Sequence, residues 1–542
     1  MHMHTLPADF IETTSATFGK ELWHRYLVAL GEPASVSIRL NRRKITGCRI
    51  TGEAGRVAWC GDGYYMKERP QFTFDPLLHA GAYYVQEASS MFIHHILRHV
   101  VGEEPVVMVD FCSAPGGKST AACAALGEDS LLVCNEPVPQ RARILAENIR
   151  KWGSPNVVVT NNYPREIRQS GITADIVLCD VPCSGEGMFR KDEDAIAEWS
   201  QQNVDRCHML QREIAGEAWQ CLRHGGTMIY STCTFNTREN EENVRWICEN
   251  FDAELIDIPV EEEWGVTGSL LEGFGGRVYR FIPGATRGEG LFVAVIRKKD
   301  ECAQRMRRMK PANGKERLTT EWIENPEKYV IEEEGNVLTA TPRRWFPMVK
   351  HLAATLKVTH HGIRLGTIKG RDIIPDECLA LSTALRREAF ATVETDRTTA
   401  TTYLRKEAVT LPEGTPHGIV LLTYRDMPLG FVKNIGKQPL PGGMEDKDNA
   451  CPERCRRHYN NDKRIIYETI PRHTRTHPER WREERRQDRN GHAEPVRHTE
   501  PLRPPRRFPT ADDQEASPEV HHTRTAVVPE RRHKRRIPAG ER

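Results

Sequence analysis

The chain has 542 residues, 38% of them hydrophobic and 28% charged, which is enough for about two to four domains with substantial cores. The formal net charge of +2 hides an uneven distribution. Residues 451–542 hold 23 Lys and Arg against 15 Asp and Glu, which leaves 54 basic and 60 acidic residues in positions 1–450. A nucleic-acid partner would therefore need a local basic patch, because the body of the chain has no net positive field.

The 15 cysteines are scattered along the chain, and one close pair, Cys451 and Cys455, lies in a tail of unusual composition. Such scatter is typical of a reducing compartment rather than of a disulfide framework. No run approaches the roughly 18 apolar residues of a membrane span, and the N-terminus lacks an apolar signal core. We therefore expect a cytoplasmic protein, a monomer, without a metal site or a membrane partner.

The first hundred residues combine helical and strand patterns. Residues 7–30 carry two helical patterns that stop at Gly31, and residues 35–41 alternate as a strand does. Arg42, Arg43 and Lys44 then form a basic cluster, which is either a solvated loop or a nucleic-acid contact. Residues 72–91 are predicted to be a loop that enters an amphipathic helix.

From Val106 onward, strands and helices alternate, which is typical of a parallel sheet covered by helices on both faces. Strands are predicted near 106–110, 130–135, 156–160, 174–180, 226–231, 253–258 and 290–297, with a further strand or an insertion at 278–282. Helices are predicted near 117–126, 138–151, 199–223 and 238–250. The pattern indicates a doubly wound α/β domain with an open sheet of about seven strands.

The last part of the chain changes character twice. Residues 299–316 are predicted to be a basic linker, and short strands mixed with helices follow in 317–436. Strand patterns at 362–368, 417–424 and 428–433, with a hairpin turn between the last two, indicate a small mixed or barrel-like module. Beyond 436 the residues are mainly Pro, Arg, His and Glu, so 437–542 are predicted to be a disordered basic tail.

A glycine-rich turn follows the first strand of the alternating region and reads Phe-Cys-Ser-Ala-Pro-Gly-Gly-Lys-Ser, ending at Ser119. Small residues let the backbone approach a ligand, and the following helix offers free amide donors. The spacing matches neither a dinucleotide Gly-x-Gly-x-x-Gly turn nor a phosphate loop. Glu136, at the end of the second strand, is placed to accept hydrogen bonds from two ribose hydroxyls, or is a surface acid. Asn161 and Asn162 could contact an adenine edge.

Two cysteines follow neighbouring strands of the predicted sheet. Cys183 follows the fourth strand in Asp-Val-Pro-Cys-Ser-Gly-Glu-Gly, and Cys233 follows the fifth in Ser-Thr-Cys-Thr-Phe-Asn. Ligands bind beyond the carboxyl ends of such strands, so both thiols are expected to face one pocket. A buried cysteine is usually a small hydrophobe, but these two leave their strands in polar turns.

A thiolate at this edge could add covalently to an electron-poor ring, while Asp180 holds the ring's amino group or protonated nitrogen. Addition to carbon 6 of a cytosine makes carbon 5 nucleophilic enough to take a methyl group from a sulfonium donor. A base then removes the proton on carbon 5, and the thiol is expelled. Such a base must be single-stranded or flipped out to be reached.

The segments 110–118, 180–187 and 231–236 resemble the S-adenosylmethionine-dependent RNA cytosine-5 methyltransferases of the Sun/Fmu class in order and spacing. The resemblance implies that Cys233 is the nucleophile, that Cys183 assists product release and that Asp180 contacts the cytosine. DNA cytosine-5 methyltransferases are similar but use the Pro-Cys thiol and lack the second cysteine, so the pair favours RNA.

The resemblance also implies which residues hold the methyl donor, S-adenosyl-L-methionine. Asn162 stands where the family often has an acidic or amide residue near the adenine, and Arg141, one helical turn beyond Glu136, either touches the donor's side or is a surface arginine. The expected donor site consists of Cys112, Ser113, Ala114, Pro115, Gly116, Gly117, Lys118, Glu136, Arg141, Asn162 and Asp180.

The resemblance implies a Rossmann-like class I methyltransferase domain at 101–298, preceded by an N-terminal RNA-binding α+β region at 1–100. Residues 317–436 are similar to the C-terminal extension of the bacterial RsmF type, which ends in a PUA-like module. That type modifies 16S ribosomal RNA, so ribosomal RNA or a small-subunit assembly intermediate is the expected partner. A transfer-RNA methyltransferase and a non-catalytic RNA-binding assembly factor stay open as alternatives.

The chain departs from the family after Gly436, where the family finishes its last strands. We hypothesise that the reading frame has shifted, or that an unrelated tail was joined, which leaves the PUA-like module incomplete. The alternative is a native basic tail, ending in the cluster 531–536, that binds RNA electrostatically.

Overall fold

The computed structural model describes residues 6–45, 52–299 and 321–436. The predicted linker beyond Lys299 and the predicted tail at 437–542 lie outside the described residues. Within those ranges, no helix is long and apolar enough to cross a membrane.

The N-terminal region begins with a long helix, α1 (Ala8–Leu30), whose backbone breaks at Gly19 with a φ of +71°. The two predicted helical patterns are therefore confirmed as two segments of one interrupted helix. Three short strands and a longer one follow, together with two helices: β1 (Ser37–Leu40), β2 (Glu53–Val57), β3 (Cys60–Met66), α2 (Pro76–His79), β4 (Tyr83–Val85) and α3 (Phe92–Val100). The strands form an antiparallel sheet in the order β2-β3-β1-β4.

The basic cluster after β1 makes contacts within the protein. Arg42 pairs with Asp62 at 2.8 Å, and Arg43 donates to the carbonyl oxygen of Leu126 at 2.7 Å. Lys44 donates to two backbone carbonyl oxygens, and burial lowers its pKa to about 7. The cluster therefore braces the N-terminal sheet against the region that follows, which neither the solvated-loop nor the nucleic-acid interpretation anticipated.

The alternating region contains all of its predicted strands and helices, with ends within a few residues of those expected. Its strands are β5 (Val107–Asp110), β6 (Leu131–Asn135), β7 (Val157–Thr160), β8 (Ala174–Asp180), β9 (Leu222–Thr232), β10 (Ala253–Leu255), β11 (Tyr279–Phe281) and β12 (Leu291–Lys298). Its helices are α4 (Gly117–Ala125), α5 (Pro139–Trp152), α6 (Pro164–Gln169), α7 (Glu193–Glu198), α8 (Gln201–Cys221) and α9 (Glu241–Asn250). The sequence missed α6 and α7, because six residues are too few to show a helical period.

The C-terminal region forms two further small sheets. Its elements are β13 (Tyr329–Glu334), β14 (Val337–Pro342), α10 (Phe346–Thr355), β15 (Val358–His361), β16 (Ile363–Lys369), β17 (Asp372–Pro375), α11 (Glu377–Ala380), β18 (Ala391–Glu394), α12 (Arg397–Leu404), β19 (Gly418–Tyr424) and β20 (Met427–Asn434). The sheets have the orders β13-β14-β16-β17 and β18-β19-β20. The predicted hairpin between β19 and β20 is confirmed, with both turn residues, Arg425 and Asp426, at positive φ.

The central sheet has nine strands in the order β10-β12-β9-β8-β5-β6-β7-β15, with β11 paired to β12. Strands β9, β8, β5, β6 and β7 are parallel, whereas β12, β10, β11 and β15 pair with their neighbours in antiparallel fashion. The expectation of about seven parallel strands was therefore wrong at both edges, since hydrophobic periodicity does not record strand direction.

Alternate residues of the central strands face opposite sides of the sheet. Val107 and Val109 lie in one buried cluster with Trp219 of α8, whereas Met108 lies in another with Leu145 of α5. Burying each such side chain contributes about 1.5–3 kcal/mol. Helices on both faces thus hold the parallel strands in register, so that their carboxyl ends form one edge.

Candidate active site

The two predicted thiols meet at the carboxyl ends of β8 and β9. The strands are parallel, and Asp180 lies opposite Ser231 in the register. The chain leaves each strand within a few residues, which brings Cys183 Sγ to 3.2 Å from Cys233 Sγ. Both side chains are half-buried, so a ligand at this edge can reach them.

The backbone N–H of Cys233 also donates to Cys183 Sγ, at 3.3 Å. The pKa of Cys183 is raised well above its ordinary value, first by the hydrogen bond with the Cys233 thiol and then by burial. In this arrangement Cys183 is a neutral thiol at neutral pH.

Asp180 is held by two side chains beside the thiols. Its Oδ2 accepts a hydrogen bond from Lys118 Nζ at 2.8 Å, and its Oδ1 accepts one from Ser231 Oγ at 2.8 Å. Burial lowers the pKa of Lys118, but the Asp180 carboxylate more than offsets this, and the pKa lies above its ordinary value. Each carboxylate oxygen keeps a further lone pair for a ligand.

Lys118 was expected among the donor-binding residues, and the structure places it against Asp180. Ser231 belongs to the Ser-Thr-Cys motif, but no role was predicted for it. A signal for it existed in the sequence, because Ser231 lies at the carboxyl end of its strand, where ligands of such sheets bind.

The glycine-rich turn joins β5 to α4. Gly116 immediately precedes α4 with a φ of +110°, in the left-handed region that favours glycine. Cys112, Ser113 and Ala114 are buried, and Ser113 Oγ donates to the carbonyl oxygen of Asp110 at 2.9 Å. Pro115 is half-buried, and its carbonyl oxygen accepts from an asparagine of α5. Hydrogen bonds within the chain thus hold the turn in place. Helix α4 begins directly after it, at Gly117.

Glu136 is fully buried at the end of β6, which excludes the surface-acid interpretation. Its Oε1 accepts from the N–H of Val138 at 2.9 Å. Its Oε2 accepts no hydrogen bond, although Arg141 Nη1 lies 3.3 Å away. Burial raises the pKa of this carboxyl. A ribose hydroxyl would supply the donor that Oε2 lacks, so the site fits a nucleoside such as the adenosyl group.

Arg141 and Asn161 support this site through hydrogen bonds to its backbone carbonyl oxygens. Arg141 Nη2 donates to the carbonyl oxygen of Ala114 at 2.9 Å, which links the glycine turn to Glu136. Asn161 Nδ2 donates to the carbonyl oxygen of Glu136 at 2.9 Å. Asn162 Oδ1 accepts from the N–H of Lys357 at 3.0 Å, and its Nδ2 donates to a glutamate at 3.4 Å. Both polar atoms of the Asn162 side chain are therefore engaged within the chain.

Sequence reasoning missed a buried carboxyl behind the thiols, Glu239. It is fully buried and accepts hydrogen bonds from groups in both cysteine-bearing turns. Burial raises its pKa to about 7. Two of its partners, Ser184 and Gln211, are distant in sequence, so the local sequence does not mark its place behind the thiols.

Three family models match separate parts of the chain. The N-terminal domain of 16S rRNA methyltransferase RsmF matches residues 6–88, 16S rRNA methyltransferase RsmB/F matches residues 97–297, and the methyltransferase RsmF PUA domain matches residues 390–438. These matches follow the order that the sequence predicted for the three regions.

Two relatives extend over most of the chain. The ribosomal RNA small subunit methyltransferase F of Pectobacterium atrosepticum is 30% identical over 485 residues, which cover 83% of this chain and 98% of the relative. The protein of the same name from Escherichia coli O9:H4 is 30% identical over 458 residues, which cover 76% of this chain and 90% of the relative.

Solved structures are similar at lower identity. NSun6 from Pyrococcus horikoshii with SFG has a TM-score of 0.46 and 21% identity, covering 55% of this chain and all of that one. A methyltransferase homolog protein from the same organism has a TM-score of 0.44 and 24% identity, covering 54% of this chain and all of that one. At this low sequence identity and TM-score, neither structure gives information about the site.

The full-length relatives and the three matched regions agree with the Rossmann-like sheet and its flanking domains. The enzyme's methyl donor is S-adenosyl-L-methionine, and the glycine turn with Glu136 fits its nucleoside. The chain belongs to the RsmF family of 16S ribosomal RNA methyltransferases.

Proposed function

We propose that this protein methylates carbon 5 of a cytosine in 16S ribosomal RNA through a covalent adduct between the base and Cys233. The observation that carries the proposal is the pair of thiols 3.2 Å apart beside Asp180. Methyl transfer to nitrogen or oxygen needs no thiol nucleophile. Carbon 5 of cytosine, by contrast, becomes nucleophilic only after a nucleophile adds to carbon 6, and the thiol supplies that nucleophile.

The reaction passes through a covalent bond between Cys233 and the cytosine. Cys233 loses its proton to solvent, its Sγ bonds to carbon 6, and the electron pair of the carbon 5–carbon 6 double bond becomes available on carbon 5. S-adenosyl-L-methionine, when bound, supplies an electrophilic methyl group on a sulfonium sulfur, and carbon 5 takes it. A base then removes the proton on carbon 5, the double bond re-forms, and the bond between carbon 6 and Sγ breaks with its electron pair returning to sulfur.

Asp180 is proposed to hold the cytosine in place. Because Lys118 and Ser231 fix both carboxylate oxygens, the remaining lone pairs point in set directions. One of them can accept a hydrogen bond from the amino group of the cytosine. The carboxylate thus orients the ring so that carbon 6 faces Cys233.

Cys183 is proposed as the base that releases the product. The hydrogen bond with Cys233 is the largest cause of its raised pKa. When Cys233 Sγ is bonded to carbon 6, that thiol no longer shares a proton with Cys183, and the pKa of Cys183 falls. Cys183 then loses its own proton to solvent, and the resulting thiolate accepts the proton on carbon 5.

The remaining assignments concern the donor and the RNA. Residues 112–118 and Glu136 are proposed to hold the methyl donor, with Arg141 bracing Glu136. The regions 1–100 and 317–436 are proposed to bind the RNA around the catalytic domain at 101–298. Asn162 is proposed only to support the donor site, because its side chain is already engaged.

The test separates the two cysteines. Purified protein is incubated with labelled 16S ribosomal RNA and S-adenosyl-L-methionine, and protein–RNA adducts are resolved on a denaturing gel. We expect Cys183→Ala to accumulate a covalent adduct, because the bond to carbon 6 forms but does not break. Cys233→Ala is expected to form neither adduct nor product.

Cys248→Ala is the matched control, since this half-buried cysteine lies on α9 away from the thiol pair, and it is expected to behave as the wild type. Full methyl transfer by Cys233→Ala would overturn the assignment of the nucleophile.

A further inference from the structure

Glu239 joins the two cysteine-bearing turns from behind. Its carboxylate accepts a hydrogen bond from the N–H of Ser184 at 3.0 Å, directly after Cys183. It accepts a second from Gln211 Nε2 at 2.7 Å, and the same Nε2 donates to the carbonyl oxygen of Pro182 at 2.9 Å. Both chain neighbours of Cys183 are therefore tied to Glu239, one directly and one through Gln211.

The same carboxylate reaches the other turn through Asn236. Asn236 Nδ2 donates to Glu239 Oε1 at 2.9 Å, and the N–H of Glu239 donates to Asn236 Oδ1 at 2.8 Å. Asn236 lies three residues after Cys233. One carboxyl group thus contacts both turns whose spacing sets the distance between the thiols.

Ser184 Oγ also lies 2.8 Å from Thr234 Oγ1, which ties the two turns directly. The backbone on both sides of Cys183 is nevertheless held through Glu239, whereas the turn that carries Cys233 has further backbone supports. The Glu186 carboxylate accepts from the N–H groups of Phe235 and Asn236 at 2.7 and 2.9 Å. Strand β9 also fixes this turn through its register with β8 and β12. Removing the Glu239 contacts should therefore release Cys183 more than Cys233.

We propose that Glu239 is a positioning residue for product release, which holds the Cys183 turn at the distance from Cys233 that proton removal requires. The inference rests on the proposed function, since it concerns the step that Cys183 performs there. Glu239 does not touch the base, because it is fully buried behind the turns. It acts through Ser184 and Gln211.

Glu239→Gln tests the proposal without a change of size. Ser184 and Gln211 donate to Oε2, and Asn236 donates to Oε1. An amide NH₂ in place of Oε2 loses both ties to the Cys183 turn, and one in place of Oε1 loses the tie to Asn236, so either orientation releases the distance between the two turns. Gln211 cannot simply flip its amide, since its Oε1 already accepts from Tyr230 and Asn243. The expected result is accumulation of the covalent adduct and a turnover about a hundredfold lower, the usual cost of a displacement of about 1 Å.

The ratio of adduct to methylated product separates positioning from mere loss of fold. Glu241→Gln is the matched control, because it breaks a buried ion pair with Arg280 and does not touch either thiol turn. It is expected to lower adduct and product together and to leave their ratio at the wild-type value. A wild-type ratio in Glu239→Gln would overturn the inference, and so would an equal loss of adduct and product in the folded variant.

Failure of the proposed function has a different signature. If the wild type makes no 5-methylcytidine, the proposed function is wrong, and the inference that rests on it is wrong as well. If the wild type does so and Glu239→Gln keeps the wild-type ratio, the inference alone fails. Should Glu239→Gln not fold, Gln211→Met removes the tie to Pro182 and is judged by the same ratio.

Discussion

Asp110 is a fully buried carboxyl group at the end of β5, below the glycine turn. Its Oδ2 accepts a hydrogen bond from Ser119 Oγ at 2.7 Å, and its Oδ1 has no partner. Burial, the largest cause, raises its pKa to about 7, and the nearby Asp180 acts in the same direction. At neutral pH this residue is therefore close to the midpoint of its titration.

The stability of the protein should depend on pH through Asp110. Its folded pKa of about 7 lies above its ordinary value of 3.8, so the folded state binds more protons between these limits. Its contribution is complete below pH 3.8 and is lost as the pH rises through 7. Asp110→Asn lacks this titration.

We expect the free energy of unfolding of the wild type, relative to Asp110→Asn, to fall by about 3–4 kcal/mol between pH 4 and pH 8. Urea unfolding at a series of pH values measures it. A difference that does not change with pH would contradict the assignment.

Single residues were predictable where they belong to a motif at a strand end. Cys183, Cys233, Asp180 and Glu136 all follow strands whose apolar runs are plain in the sequence, and the parallel order of those strands brings them to one edge. Glu239 was not predictable. Its partner Ser184 is 55 residues away, and hydrogen bonds between distant buried groups leave no periodic trace.

At the scale of elements, the position of β15 in the central sheet could not be predicted from the sequence. It comes from the C-terminal region and pairs with β7, on the edge of the sheet next to the proposed donor site. The N–H of Asn161 donates to the carbonyl oxygen of Lys357 at 2.9 Å, and the N–H of Lys357 donates to Asn162 Oδ1. Asn162 and Lys357 are 195 residues apart, so no local pattern encodes the pairing.

This edge should affect binding of the methyl donor. Lys357→Pro removes the N–H from which Asn162 Oδ1 accepts a hydrogen bond, which loosens Asn162 and, beside it, Asn161, whose side chain holds the Glu136 carbonyl. We expect the dissociation constant for S-adenosyl-L-methionine to rise about tenfold, equivalent to about 1.4 kcal/mol. Isothermal titration calorimetry measures it.

Lys357→Ala is the control, because it removes an exposed side chain and keeps the backbone N–H. Equal donor affinity in the proline and alanine variants would show that the edge does not support the site.

At the scale of the whole molecule, the N-terminal helix belongs to the catalytic core. Phe10 of α1 is fully buried, with its ring 4.9 Å from that of Phe189 and 5.6 Å from that of Trp199. Trp199 Nε1 in turn donates to Glu186 Oε1 at 3.0 Å, in the turn that follows Cys183. The RNA-binding role proposed for the N-terminal region therefore comes with a structural connection to the reacting groups.

Two hypotheses concern the C-terminal tail of the chain, namely a shifted reading frame and a native tail that binds RNA. The PUA family model matches up to residue 438, close to where the departure from the family was identified after Gly436. The predicted tail itself lies outside the described residues.

The identity of the methylated nucleoside tests the central claim most directly. Unmethylated 16S ribosomal RNA is incubated with the protein and isotopically labelled S-adenosyl-L-methionine, digested to nucleosides and analysed by mass spectrometry. The account predicts that the label is in 5-methylcytidine with the wild type and is absent with Cys233→Ala. Label on another nucleoside, or undiminished 5-methylcytidine with Cys233→Ala, would contradict it.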